Sequence, residues 1–299
     1  MRVAITGSNG YVGGAIANYL RSAGVSVVEM RRVKQADSVP PSVVPFVLGD
    51  SPSDERLRAC DALIHCAYDL SAIRWSDIER INIQGSERLF QSAIAMGIKK
   101  IILISSISAF DGCASLYGSA KLAIERMAQT FNGVIVRPGL VYGDTPGGMM
   151  GTLGRLVKRL PVVPVIGGGQ EMYLCHQDDL SQMIYRLVLS TSVPSSPVIA
   201  CAEEPIQFRG ILGFLAKRSD VSRFFVPVPW RLAWLGLKTS EMIGLRLGIK
   251  SDSLVSLMNP NPSPDFQGAR ETGVTFRELG GAGVPEPEGS CCNPAFKLR

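Results

Sequence analysis

Two hydrophobic rhythms alternate along the first 140 positions. Short apolar runs at residues 2–6, 25–30, 44–48, 62–66, 100–105 and 134–137 are bounded by glycine, proline or polar residues. That is the pattern of buried strands. Between them, residues 11–23, 76–96 and 118–131 repeat their apolar positions at helical period. Gly24 and Gly97 close two of these helices, and Pro138-Gly139 stops the last strand. Strands alternating with helices predict an α/β fold, a doubly wound parallel sheet of the Rossmann type with right-handed crossovers.

Beyond residue 140 the rhythm loosens. Glycines cluster at Gly147-Gly148 and Gly167-Gly168-Gly169, and prolines recur at 161, 164, 194, 197, 227 and 229. Loops of this kind carry the variable, substrate-facing part of many α/β enzymes. The expected organisation is a dinucleotide-binding core over 1–145 and a smaller C-terminal substrate-binding region over 146–279. Some elements of that region return to the core. A poorly ordered Gly/Pro/Glu-rich tail is expected over 280–299. Residues 229–249 mix Trp230, Trp234 and leucines with Arg231, Lys238 and Arg246. They read as a core-packing helix pair, with a helix lying on a membrane surface as the alternative. No apolar run is long enough to span a bilayer. The N-terminal apolar residues 3–5 run straight into a glycine turn, unlike a signal peptide.

Composition narrows the classes. A hydrophobic fraction of 46% against 19% charged residues supports a sizeable core and excludes wholesale disorder. The net charge of +5 is modest and its Lys and Arg are scattered. A slightly basic soluble surface is expected, with no nucleic-acid partner. The seven cysteines are odd in number and contain no C-x-x-C pair. Cys60, Cys66 and Cys201 read as buried thiols, which points to a reducing, cytoplasmic setting. Cys291-Cys292 reads as a tolerated tail dipeptide, with lipidation or metal binding as alternatives. His65 and His176 are the only histidines, so no metal site is expected.

Three features carry candidate chemistry. Gly7, Gly10 and Gly13 lie between the first strand and the first helix. Small residues there permit a tight turn, and the helix N-terminus offers N–H groups to a pyrophosphate. At the end of the second strand, an acid would bind a ribose 2′-hydroxyl and an arginine a 2′-phosphate. The chain has Glu29 followed by Arg31 and Arg32. Strand alternation puts Glu29 and Arg31 on one side, and the arginine favours NADP, with NAD the alternative. Third, Tyr117 and Lys121 share one face of a helix. An ammonium near a phenol favours the phenolate and makes a proton donor and acceptor.

Together these residues resemble the short-chain dehydrogenase/reductase superfamily, most closely its extended or atypical branch of NAD-dependent epimerase/dehydratase-like proteins. The resemblance covers roughly residues 1–190. It rests on the motif from Thr6 to Gly13, on Asp50, His65-Cys66-Ala67, Asn82, Ser105-Ser106 and Tyr117/Lys121. Arg137-Pro138-Gly139, Tyr142-Gly143 and the stretch starting at His176 complete it. The resemblance implies that Tyr117 is the general acid/base. Lys121 would hold the nicotinamide ribose and lower the Tyr117 pKa, and Ser106 would bind the same substrate oxygen, with Ser105 as runner-up. Asn82 matches a helix asparagine of the catalytic set. Gly7, Asn9, Gly10, Tyr11, Val12, Gly13, Arg31, Arg32, Asp50, Ala67 and Pro138 would meet the cofactor, Asp50 through the adenine amino group. A homodimer is a further expectation.

The substrate is less defined. Relatives acting on nucleotide sugars often carry an arginine four before the histidine seen here at His176, and this chain has Met172. Arg155, Lys158, Arg159 or Arg209 would have to compensate. The short interval from Ser106 to Tyr117, with Ile107 and Ser108 in place of acids, argues against a dehydratase. Three readings compete: an oxidoreductase or epimerase of a nucleotide-sugar or keto-sugar, an oxidoreductase for a sterol or other apolar alcohol, and a non-catalytic NADP-binding regulatory or assembly protein.

Overall fold

The computed structural model describes residues 1–33, 39–194, 196–245 and 247–280. The expectations for the tail, with Cys291-Cys292, and for Arg246 lie outside the described residues.

Six strands of the N-terminal part build most of one parallel sheet. They are β1 (Arg2–Thr6), β2 (Ser26–Arg31), β3 (Val43–Pro45), β4 (Ala62–His65), β5 (Lys100–Ile104) and β6 (Val134–Pro138). A seventh strand, β11 (Val198–Ala200), pairs with β6 from far along the chain. The order is β11-β6-β5-β4-β1-β2-β3, and every pairing is parallel. The order reverses between β1 and β4, which opens a crevice at their C-terminal ends.

Helices cover both faces, so the strands read as continuous apolar runs. On one face, Val3, Ile5, Ile64 and Ile102 pack against Ile16 and Leu20 of α1 (Tyr11–Ser22) and Met183, Ile184 and Leu187 of α6 (Gln177–Leu189). On the other, Ala4, Val28, Leu63, Ile101 and Leu103 meet Leu89 and Phe90 of α3 (Gln84–Ala95) and Ile124 and Ala128 of α4 (Leu116–Thr130). These buried side chains are the main source of stability, at about 1.5–3 kcal/mol for each large one.

The later chain forms short paired strands over a third core. β7 (Leu140–Tyr142) pairs with β10 (Leu174–His176), β8 (Val162–Val165) with β13 (Phe224–Pro227), and β9 (Glu171–Met172) with β12 (Ile206–Gln207). Leu153 and Val157 of α5 (Gly148–Arg159) pack there on Ile211, Leu212 and Leu215 of α7 (Phe208–Arg218). Helices α8 (Trp230–Met242), α9 (Ser251–Met258) and α10 (Gln267–Glu271) complete the chain.

Two expectations are corrected. The helix expected over 76–96 is broken: α2 (Trp75–Ile78) passes through a π-type turn at Glu79–Ile83 into α3. The extra residue in that turn directs Asn82 inward, where it is fully buried and bonded to the backbone of Asp69. The core-packing helix pair expected at 229–249 is a single helix, α8, of which only Ser240 is buried.

The nucleotide turn tolerates no bulk. A Cβ added at Gly13 would lie 2.4 Å from the Gly7 carbonyl oxygen, so the backbone itself would have to move. Gly13→Ala is expected to cost on the order of 2 kcal/mol, read as a lower midpoint in urea denaturation with an unchanged slope.

Candidate active site

The crevice is knitted together by Thr6 at the end of β1. Its Oγ1 accepts the backbone N–H groups of Cys66 and Ala67, each at 3.1 Å, and pairs with His65 Nδ1 at 2.8 Å. His65 Nε2 lies 2.9 Å from Ser86 Oγ, which donates to the Asn82 carbonyl at 2.6 Å. Ser86 has spent its proton, so His65 Nε2 donates to it and His65 Nδ1 accepts from Thr6. The imidazole is therefore neutral. Burial, aided by the Lys121 ammonium, pulls its pKa down to about 3.

Most of the expected cofactor residues lie in the turn after β1 or at the ends of β2, β4 and β6. Gly7 N–H donates to the Met30 carbonyl at 3.1 Å and Gly10 N–H to the Gly7 carbonyl at 2.8 Å, forming the turn before α1. Asn9 donates to the Arg32 carbonyl, linking the turn to the end of β2. Val12 is half-buried against the core, and the Tyr11 hydroxyl donates to the Thr145 carbonyl. Ala67 follows β4, and the carbonyl of buried Pro138 accepts the Ile107 N–H at 2.9 Å. Asp50 is exposed, its carboxylate accepting the Val47 N–H of its own loop.

Glu29 and Arg31 do project to one side, with Arg31 Nε 3.3 Å from Glu29 Oε2. Ser8 Oγ and Arg21 also bond to Glu29. The acid is thus engaged by protein donors. Arg31 Nε is buried and, despite that ion-pair distance, makes no hydrogen bond. Arg32 is exposed and pairs with Asp69 at 3.2 Å. An arginine at the end of β2, beside the turn, is the residue type that fits a phosphate group.

At the end of β5 the two serines part. Buried Ser105 donates to Glu125, which is clamped by Arg137 at 2.6 and 2.9 Å. Ser106 is half-buried, its Oγ accepting the Ser108 N–H at 3.2 Å, and it lies close enough to Tyr117 to act on its phenol. The geometry therefore leaves Ser106 as the hydroxyl beside the phenol. Gly118 permits this approach, because a Cβ there would lie 2.3 Å from the Ser108 carbonyl oxygen. Asn82, with both side-chain ends on Asp69, shapes the loop after β4.

Lys121 is 3% exposed and donates to the Ile104 carbonyl at 2.8 Å. Burial pulls its pKa down to about 8, opposed by Cys66 and Glu125. The expected acidification of Tyr117 is not what this arrangement produces. Burial pushes that phenol up to about 12, with the nearby Ser106 hydroxyl pulling the other way.

Two residues of the site escaped sequence reasoning. Tyr68 packs edge-on against Tyr117, ring centroids 5.1 Å apart, and its ring takes the Lys121 ammonium at 5.1 Å. Asp252 of α9 accepts the N–H groups of Leu116 and Tyr117 at 2.8 and 2.9 Å. With Ser115, which accepts from Gly118, it caps the helix that carries the tyrosine. An aromatic residue following a buried strand reads as core, and a cap 135 residues away leaves no local trace.

A nucleotide turn at the switch point of a doubly wound sheet, with Ser106, Tyr117 and Lys121 beside it, defines a short-chain dehydrogenase/reductase-type protein. The chain belongs to the NAD dependent epimerase/dehydratase family, which it matches over residues 3–199. It is 26% identical over 225 residues to an uncharacterized protein of Mycobacterium tuberculosis, covering 73% of this chain and 23% of that one. It is 29% identical over 187 residues to a ceramide reductase of Caulobacter vibrioides, covering 59% and 57%. The chain thus spans less than two thirds of these relatives. The structure of MoeE5 in complex with UDP-glucuronic acid and NAD superposes with a TM-score of 0.69 at 19% identity, over 93% of this chain and 95% of that one. At that identity the likeness is one of fold. Among the described residues no cluster of His, Cys, Asp or Glu is arranged to hold a metal ion.

Two outcomes follow from this geometry. Asp252→Ala is expected to cost about 1–2 kcal/mol through the lost cap, read by thermal unfolding, with Asp252→Asn recovering part of it. His65 titrates far below its ordinary 6.5 because it is buried neutral. The unfolded chain then binds the extra proton, so stability falls as pH drops from 6.5 toward 3, by a few kcal/mol in total. His65→Asn is expected to flatten that slope in a pH series of urea melts.

Proposed function

We propose that the chain is an NADP-dependent oxidoreductase that moves hydride between the nicotinamide and a carbonyl or carbinol carbon. The observation that carries this reading is the convergence of Ser106, Tyr117 and Lys121 at the end of β5, beside the turn at the end of β1. A protein that only senses a nucleotide has no need of the three together. The cofactor, when bound, supplies or accepts the hydride; the residues around it do the rest.

A phenol held near 12 keeps its proton at neutral pH. Tyr117 is thus poised to donate to the oxygen of a carbonyl being reduced, a role that needs no prior acidification. The Ser106 hydroxyl steadies the same oxygen and aligns it with the phenol. Lys121 lies one turn along α4, and its charge stabilises the phenolate left behind. Glu29, engaged by Ser8 and Arg21, and the arginine at the end of β2 support NADP over NAD.

For the substrate we favour a nucleotide-sugar or related keto-sugar. A hollow of about 360 Å³ is lined by Gly167, Gly168, Gly169, Gln207 and Arg209. Its Arg209 guanidinium suits a phosphate-bearing molecule, where Met172 offers no charge, and Val165, Phe225 and Val228 supply an apolar wall. A second reading, an apolar ketone such as a lipid or sterol, rests on a hollow of about 460 Å³ lined by Trp230, Trp234, Leu235 and Val255. Ceramide reductase among the relatives agrees with it. Neither hollow is lined by Tyr117, so each suits the body of a substrate and not its reacting carbon.

Thermal-shift screening separates these readings. UDP or dTDP stabilises the protein under the first, a ceramide or sterol under the second; no shift by either nucleotide at millimolar levels counts against the first. Tyr117→Phe is expected to lower kcat by roughly 10²–10⁴-fold with NADPH affinity unchanged; surviving activity removes Tyr117 as the proton donor. Arg31→Asp is expected to move preference toward NADH.

A further inference from the structure

Helix α8 carries apolar residues on its outer side as well as its inner one. Leu232, Leu235, Met242 and Ile243 recur at spacings of three, seven and one, and with Thr239 they occupy one helical face. That face points outward: these four are 57 to 80% exposed. Amphipathic helices of soluble domains turn such a stripe to the core. In the sequence, exposed Phe224, at 78%, precedes the helix, and exposed Leu245 and Leu247 follow it. Arg231 and Lys238 border the stripe, Arg231 stacked over the Trp230 ring at 5.8 Å.

The stretch of sequence that contains the helix is also rich in bases. Residues 217–250 contain seven Lys and Arg against Asp220 and Glu241, a surplus of five that equals the net charge of the whole chain. The remainder has as many acids as bases. An apolar stripe with a basic border and a local positive surplus complements one surface, an anionic bilayer. A second copy of the chain would bring the same surplus against itself.

We propose that α8 and its flanking residues form a docking face for anionic phospholipid membranes, on which the protein lies without spanning. No helix among the described residues is long and apolar enough to cross a membrane. The face is tied to the catalytic centre. Glu241, on the inner side of α8, accepts from the Ser251 N–H and hydroxyl at 2.7 and 2.8 Å. The next residue, Asp252, caps the Tyr117 helix. Docking would therefore bear on α4 through two consecutive capping contacts.

The inference stands apart from the substrate reading and is tested without a substrate. The full chain is sedimented with vesicles of phosphatidylglycerol and phosphatidylcholine, and with phosphatidylcholine alone. Binding is expected to the anionic vesicles, to weaken with added salt, and to fall roughly tenfold or more in Leu232→Asp/Met242→Asp. NADPH binding, unchanged in that variant, confirms that it is folded. No binding to anionic vesicles, or binding indifferent to the double substitution, overturns the proposal. So does a concentration-dependent dimer in sedimentation velocity that the same variant abolishes while vesicle binding is absent, because a second copy then covers the face.

Discussion

The site depends on one buried hydroxyl. Thr6 joins the strands on either side of the switch point, accepting two N–H groups from the loop after β4 while it pairs with His65. Parallel neighbours diverge after their last ladder bond, and here they must diverge to make a crevice. Thr6 limits how far. His65, Ser86 and Asn82 extend the constraint to the π-type turn, and Asn82 returns it to Asp69. Each buried polar group in that circuit has a partner, which is the condition for placing four of them beside an apolar sheet.

The second constraint is a cation in the interior. Lys121 has one carbonyl partner and one aromatic face, and its pKa is pulled to about 8 by burial. The fold bears the cost of keeping a charge there, and structural stability gives no reason for it. A charge next to a cofactor crevice and one helical turn from a phenol has a chemical reason. Helix α4 is held from both sides, by Ser115 within its own loop and by Asp252 from α9. The C-terminal helices thus reach the reaction centre through a cap and not through a catalytic side chain.

Much of this was legible in the sequence, for identifiable reasons. The strands of the core are buried on both faces, so they appear as apolar runs with glycine or proline at their ends. The glycine turn and the Tyr117/Lys121 pair are local spacings. The π-type turn is not local: it follows from Asn82 reaching Asp69 across a loop. Tyr68 resembles any aromatic after a strand. The outward face of α8 was hidden because a helical stripe reads the same whether it faces the core or solvent, and only packing tells them apart. The choice of Ser106 could be argued from spacing, but its physical ground, Ser105 being taken by Glu125, is visible only in three dimensions.

The central claim is that a dinucleotide closes on the crevice bounded by the glycine turn, the loop after β4 and the end of β5. Hydrogen–deuterium exchange of the full chain, with and without NADPH, tests it most directly. Protection is expected together at residues 7–11, 66–70 and 105–108. Protection confined to another part of the molecule, or none at saturating NADPH, would contradict it.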